Sequence, residues 1–213
     1  MESHLHLLSV LTSSFLFRGL NSQQLQELAQ KTRFYTYRPG QILIEEDVTN
    51  DKVILIVDGL VKIYRITPEG KEIFLAFEKN NDYIGVMDLD DQPGSATIEA
   101  LKTTKVLVFY KKDLNTLLKQ YPHLWERMYK IILAKFEDMK HFHSIRLGND
   151  LYERTHLLLQ YLSEHSDNKT VILSQETLAS IVGATRPRVT ETLHALQKAG
   201  KIQISSKKIV LLS

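Results

Sequence analysis

Two arginines one residue apart, Arg186 and Arg188, bracket Pro187 directly after Thr185. A guanidinium is a planar fork of donors that stays charged, so it suits paired acceptors such as the O6 and N7 of a guanine edge, or phosphate oxygens. That chemistry needs a rigid element to hold both forks forward. The flanking residues supply one. Thr185 reads as a helix cap, and Pro187 falls in the first turn, where a missing N–H costs little. Val189, Leu193 and Leu196 recur at i, i+4 and i+7 and must face inward. Pro187, Glu191, His194 and Lys198 are left on the outward face, with the arginines at its N-terminal end. Such a helix suits the major groove of DNA.

The neighbouring residues give this helix a setting. Ser174 can cap a preceding helix, with Glu176 in its positive first turn and Leu178, Ile181 and Val182 on one apolar face. Gly183 supplies the turn, where a positive φ is often needed. Gly200 ends the second helix. Ile202 and Ile204 alternate with polar residues, Ser205-Ser206-Lys207 turns the chain, and Ile209-Val210-Leu211 returns, predicting a two-stranded wing. A small helical hairpin with a solvated charged face is the alternative. The joint order of glycine turn, Arg-Pro-Arg helix and hairpin favours DNA.

Stepping outward along the chain, 213 residues allow one large or two small domains. The apolar content fills cores, no apolar run approaches a membrane span, and the first residues do not read as a signal peptide. There is no cysteine, which excludes disulfides, thiolate metal sites and a cysteine nucleophile. A soluble cytoplasmic protein is the expectation. The net charge of +2 is uneven: residues 151–213 hold 8 Lys/Arg against 5 Asp/Glu, or +3, and residues 1–150 hold 19 against 20, or −1. The basic excess falls with the paired helices, as phosphate attraction requires.

Residues 1–33 read as helical, with Leu5, Leu8 and Leu11 on one face, then Leu25 and Leu28 after an Asn21-Ser22 cap. Residues 34–110 read as short strands: a buried run from Val53 to Val57, an alternating one from Leu60 to Ile66, another from Ile73 to Phe77. Turns at Arg38-Pro39-Gly40, Asp58-Gly59, Pro68-Glu69-Gly70 and Gln92-Pro93-Gly94 separate them, predicting a sandwich or roll. A long helix follows over residues 121–147. Trp125, Tyr129, Ile132, Phe136, Met139, His143 and Arg146 alternate spacings of 4 and 3, a heptad seam by which two copies pair. Leu124, Met128, Ile131 and Ala134 form a second stripe for the strands. An ordinary core helix buried on two faces is the competing reading. Gly148, Asn149 and Asp150 read as a hinge, with Asp150 capping a helix over residues 151–165.

This order resembles the cyclic-AMP receptor protein/fumarate-nitrate regulator (CRP/FNR) family of bacterial transcription factors. The resemblance spans essentially the whole chain. It rests on Pro39-Gly40, Asp58-Gly59-Leu60-Val61-Lys62, Pro68-Glu69-Gly70-Lys71-Glu72 and Asn81-Asp82-Tyr83-Ile84-Gly85, then on Leu178 to Gly183 and Thr185 to Thr190. It implies an α+β chain: a β-roll sensor domain of the cupin-like, cyclic-nucleotide-binding type over residues 1–120, a dimerisation helix over 121–147, a hinge at 148–150 and a winged helix-turn-helix over 151–213. The implied partners are double-stranded DNA, a second copy of the chain and RNA polymerase, with no membrane. The implied DNA-binding set is Ser174, Thr185, Arg186, Pro187, Arg188, Thr190 and Glu191. Arg186 matches the guanine-reading arginine, and Ser174 the phosphate-clamping position. Pro187 stands where a glutamate is usual and Glu191 where cyclic-AMP receptors have an arginine; Glu191 can accept from a cytosine N4. Arg188 adds a base or phosphate contact. The implied operator is a palindrome with half-sites roughly 34–36 Å apart.

The sensor's signal is read mostly by exclusion. Cyclic-nucleotide binders of the family place a glutamate after the glycine matched by Gly85 and an Arg-Ser pair on the phosphate; this chain has Val86 and Gly94-Ser95. A buried phosphate without a cation lacks its main partner, which argues against cyclic AMP. An iron–sulfur cluster is excluded for want of cysteine. His4, His6, His123, His141 and His143 are haem-ligand candidates by residue type alone, and the ordinary surface reading is preferred for each. His141 and His143 lie near the hinge, where a protonation switch is conceivable, though the solvated reading is again preferred. A small organic ligand, or none, is left, and the cofactor stays unknown. No metal site is expected. A jelly-roll enzyme would show His/Glu metal clusters on its strands, and residues 34–110 contain no histidine. A non-enzyme is the expectation. The other open readings are an effector-independent regulator and a module whose winged helix meets a protein.

Overall fold

The computed structural model describes residues 4–87, 89, 93–148, 150–164, 166, 169–205 and 208–212. Asn149 of the expected hinge, Gln92 of one turn, Ser206-Lys207 of the wing turn and His165 lie outside the described residues. The chain divides into two compact units, residues 1–65 with 75–137, and residues 66–74 with 138–213.

The first unit opens with α1 (His4–Ser13) and α2 (Ser22–Gln30). Asn21 starts α2 through a reciprocal capping box: its side chain accepts from the Gln24 N–H at 3.0 Å, and Gln24 Oε1 accepts from the Asn21 N–H at 2.7 Å. Leu11 is buried, but Leu5, expected on the same face, is 76% exposed. One face of α1 is therefore shorter than its leucines suggest.

Eight strands follow: β1 (Arg33–Tyr37), β2 (Ile42–Ile44), β3 (Lys52–Asp58), β4 (Leu60–Ile66), β5 (Glu72–Lys79), β6 (Tyr83–Ile84), β7 (Thr97–Ala100) and β8 (Thr104–Tyr110). They form two four-stranded sheets in the orders β1-β8-β3-β6 and β2-β7-β4-β5. The run Val53-Ile54-Leu55-Ile56 is apolar at every position because both faces of β3 are covered. Ile54 and Ile56 point between the sheets with Ile44, Val61, Ile84, Ile98, Val106 and Val108. Val53 and Leu55 point the other way, into a cluster with Leu107, Phe109, Leu25, Leu28, Leu114 and Leu118. The helices α3 (Lys111–Gln120) and α4 (His123–Gly148) close this second core, and Leu124 and Met128 of α4 are fully buried. The architecture is a β-roll followed by helices and a small winged domain. Among the described residues, no helix is long and apolar enough to cross a membrane.

α4 is a single helix of 26 residues with three kinds of surface. Leu124, Met128, Phe142 and Ile145 are buried, and Ile131 and Ile132 pack partly against the core. Trp125, Tyr129, Leu133, Phe136 and Met139 are each 41–60% exposed, an apolar stripe facing outward. Three residues differ from the expected stripes. Ala134 is exposed, and Lys135 turns inward in its place. Ile132, expected on the outward seam, leans on the core. Arg146, expected on the seam, donates from Nη1 to the Phe74 carbonyl at 3.2 Å.

Lys135 meets Glu78 of β5, and both side chains are almost wholly buried. Burial pushes the Glu78 carboxyl up to about 8; Lys135 lowers it and nearby Asp82 raises it, but desolvation is the larger effect. Burial thus favours the protonated form of Glu78 beside the Lys135 ammonium. As pH rises past the ordinary carboxyl value of 4.5, the unfolded chain ionises at this position while the folded chain does not. Stability contributed here is present at acid pH and is lost as the pH climbs toward about 8. Glu78→Gln should remove that slope: urea unfolding of the variant at pH 5.5 and at pH 8 should differ less than it does for the wild type. An unchanged pH dependence would mean that Glu78 ionises in the folded state.

Candidate nucleic-acid interface

The second unit contains α5 (Leu151–Glu164), β9 (Thr170–Val171), α6 (Gln175–Val182), α7 (Arg186–Lys198), β10 (Ile202–Ser205) and β11 (Lys208–Leu211). Asp150 starts α5, its Oδ1 accepting the Glu153 N–H at 2.8 Å. The wing has three strands in the order β10-β11-β9, not the two expected. The added strand is two residues long and pairs Val171 with Ile209. Gly148, expected in the hinge, is the last residue of α4.

α6 begins at Ser174, whose Oγ accepts the Thr177 N–H at 3.0 Å. It ends at Gly183 in the left-handed region, φ 65° and ψ 45°, a conformation that costs any residue with a Cβ about 1 kcal/mol or more. A Cβ there would also stand 3.0 Å from Arg146 Nη2. The turn delivers the chain to α7, where Pro187 lies in the first turn. Thr185 occupies the cap position, but its side chain makes no capping bond; the expected hydroxyl cap is replaced by backbone geometry alone.

Leu178, Ile181 and Val182 of α6 and Val189, Leu193 and Leu196 of α7 are buried against one another and against Leu158, Leu159 and Leu162 of α5. Burial of these side chains fixes the rotation of α7 about its axis. Thr185, Arg186, Pro187, Arg188, Glu191 and His194 are all exposed as a result, and so is Ser174 across the turn. The arrangement leaves two guanidinium groups, a carboxylate acceptor and a capped helix start exposed on α6 and α7. Such groups can read base edges and hold phosphates.

Thr190 is placed differently from the other candidates. It is half-buried, with its hydroxyl 2.7 Å from Gln175 Oε1 and 3.0 Å from the Arg186 carbonyl. Gln175 joins α6 to α7 through this contact and was not legible as a functional residue. The two residues lie fifteen apart in sequence, and no periodicity links them.

In the roll, the positions expected at a nucleotide site carry Gly85-Val86 and Gly94-Ser95. A Cβ at Gly85 would stand 2.6 Å from the Lys52 carbonyl oxygen, and one at Gly94 2.9 Å from that of Glu45. Backbone thus closes on both glycines. Both basic residues of β4 are matched with carboxylates, Lys62 with Glu99 at 3.3 Å and Arg65 with Glu46 at 2.5 Å. His4, His6, His123, His141 and His143 are exposed, and His6 stacks on Phe34.

Comparison with known proteins agrees with this architecture. A cyclic nucleotide-binding domain model matches residues 35–121, and a Crp-like helix-turn-helix domain model matches residues 153–213. The chain is 23% identical over 211 residues to a CRP-like cAMP-activated global transcriptional regulator of Mycobacterium tuberculosis, covering 95% of this chain and 94% of that one. It is 22% identical to the nitrogen fixation regulation protein FixK of Bradyrhizobium diazoefficiens, covering 94% of this chain and 86% of that one. In fold it is similar to FixK2 from Bradyrhizobium japonicum, with a TM-score of 0.75 at 19% identity over 85% of this chain and 93% of that one. A crp/fnr-family regulator from Eubacterium rectale gives 0.76 at 21% identity over 93% of each chain. With a roll matched by one domain model and a capped Arg-Pro-Arg helix-turn-helix matched by the other, the chain belongs to the CRP/FNR family of transcription regulators.

Proposed function

We propose that the protein binds a palindromic DNA operator as a homodimer and regulates transcription from it, with the roll as the sensor of an unidentified signal and cyclic AMP disfavoured. The observation that carries this reading is the surface at the start of α7: Arg186 and Arg188 exposed at the end of a helix whose opposite face is locked by Val189, Leu193 and Leu196. Arg186 reads a guanine through two donors, Arg188 meets a base or phosphate, and Glu191 accepts from a cytosine. Ser174 stands beside a phosphate. Pro187 offers no donor, so the half-site differs from one read by glutamate at that position.

The apolar stripe of α4 supports pairing of two copies. Five large apolar side chains along one helix face form a contiguous exposed patch, which a monomer rarely tolerates. Residues near 148–150 serve as the hinge, and a sensor event shifts the population between binding-competent and incompetent states. The dimer on its operator then acts on RNA polymerase.

Selection from a random duplex library at about 150 mM salt should return a palindrome; recovery of no sequence without a ligand would mean either an obligatory signal or a protein partner for the winged domain. Arg186→Ala should lose about 1–3 kcal/mol of operator affinity and relax selection at one position per half-site. Unchanged selectivity would remove Arg186 from base reading. Tyr129→Glu with Phe136→Glu should give monomers by ultracentrifugation, since both side chains are exposed and the roll's core is untouched; a surviving dimer would refute the stripe as the interface. Cyclic AMP at saturating concentration should leave operator affinity unchanged in a binding titration, and a clear gain would show that the phosphate finds a partner elsewhere in the roll.

A further inference from the structure

We infer that Thr190 is a positioning residue for DNA binding, acting through Gln175, and is not itself a reader of bases. This inference rests on the DNA-binding reading of α7. Thr190 sits one turn beyond Arg186, on the edge of the exposed face, and the family pattern would place its hydroxyl against DNA. The structure turns that hydroxyl the other way. Oγ1 lies 2.7 Å from Oε1 of Gln175, the first residue of α6, and 3.0 Å from the Arg186 carbonyl oxygen. A threonine hydroxyl carries one proton. The shorter contact gives that proton to Gln175, and none remains for a base.

The consequence falls on Gln175. A carboxamide presents its oxygen and its nitrogen on opposite sides, so fixing Oε1 on Thr190 fixes where Nε2 points. Nε2 then lies on the far side of the carboxamide from the Thr190 hydroxyl, on a residue next in sequence to the exposed Ser174. A neutral NH2 group held there can donate to a phosphate oxygen, a role that glutamine commonly takes in protein–DNA contacts. Thr190 determines whether that donor or the acceptor faces the strand. With the carboxamide reversed, Oε1 would meet the phosphate and repel it. The inter-helix bond thus works as an orientation lock on a side chain that otherwise samples both faces.

This role has readouts that a base contact would not give. Thr190→Val keeps the shape and removes the hydroxyl. On the full-length dimer, with duplexes of about 30 base pairs that span two half-sites, it should weaken a selected operator and a mixed-sequence pool alike, by roughly three- to ten-fold. The selected bases should not change. The salt slope should not change either, because a neutral side chain releases no counterion. Thr190→Ser should restore wild-type binding. Gln175→Ala should reproduce the loss, and the double variant should be no weaker than either single one. Gln175→Lys placed on the Thr190→Val background should recover affinity without the lock and add about 0.9 to the salt slope per half-site. Recovery by lysine also rules out a folding defect as the source of the loss.

A changed base preference in Thr190→Val would make Thr190 a reader and overturn the inference. So would full affinity in either single variant, or additive losses in the double one, or no recovery with lysine. If the wild type bound neither the operator nor the pool, the DNA reading itself would fall and the inference with it.

Discussion

One helix must bury half of itself so tightly that the other half cannot turn. Val189, Leu193 and Leu196 are shielded almost completely by α5 and α6, and each carries the transfer free energy of a full aliphatic side chain, about 1.5–3 kcal/mol. Rotating α7 by a single residue would expose that set to water and bury Arg186 or Glu191 without partners. The penalty for either error exceeds the discrimination expected from any one base contact, about 1–3 kcal/mol. The apolar face therefore fixes what the polar face can read. Everything upstream in the second unit, from the Asp150 cap to the left-handed Gly183, keeps α5, α6 and α7 in that packing.

The recognition segment was legible because its signals are local and agree with each other. Ser174, Gly183 and Pro187 mark ends, and the apolar positions between them keep one period. The roll was legible more coarsely, through turn residues and the apolar run of β3. What escaped were pairings at long range and residues that break a pattern. β9 is too short to show any alternation, and only its partner β11 makes it a strand. Thr190 and Gln175 meet because the turn folds α6 back over α7, which no spacing announces. Leu5 continues the face of α1 in sequence, but the core ends before it.

α4 shows a subtler cause. The inward stripe was expected at Leu124, Met128, Ile131 and Ala134, spacings of 4, 3 and 3, but a face kept over several turns alternates 4 and 3. Early positions hold: Leu124 and Met128 face the core, Trp125 and Tyr129 face out. Four residues past Ile131 is Lys135, which turns inward where Ala134 was expected, and Leu133 joins the exposed stripe. By the last turn Arg146 has left the seam altogether. A lysine was an improbable choice for the inward position on hydrophobicity alone. It is tolerated because Glu78 lies opposite and can hold a proton, which spares the pair the full cost of two desolvated charges.

The charge distribution bears on how such a protein finds one site among many. The winged segment carries only +3, so its general attraction for the DNA backbone is modest. Weak backbone attraction lowers affinity for every sequence, including the operator. It lowers non-specific affinity in larger proportion, since that term is almost wholly electrostatic. With about 10⁶ or more competing sites in a genome, occupancy follows the ratio of specific to non-specific affinity and not the dissociation constant alone. A neutral donor at Gln175 belongs to the same logic. In the proposed role it would contribute a phosphate contact without counterion release, adding to binding while leaving the salt dependence low. In a dimer each such choice counts twice, because both half-sites are read together. Substituting lysines for these neutral contacts would raise affinity everywhere and blur the distinction on which regulation depends.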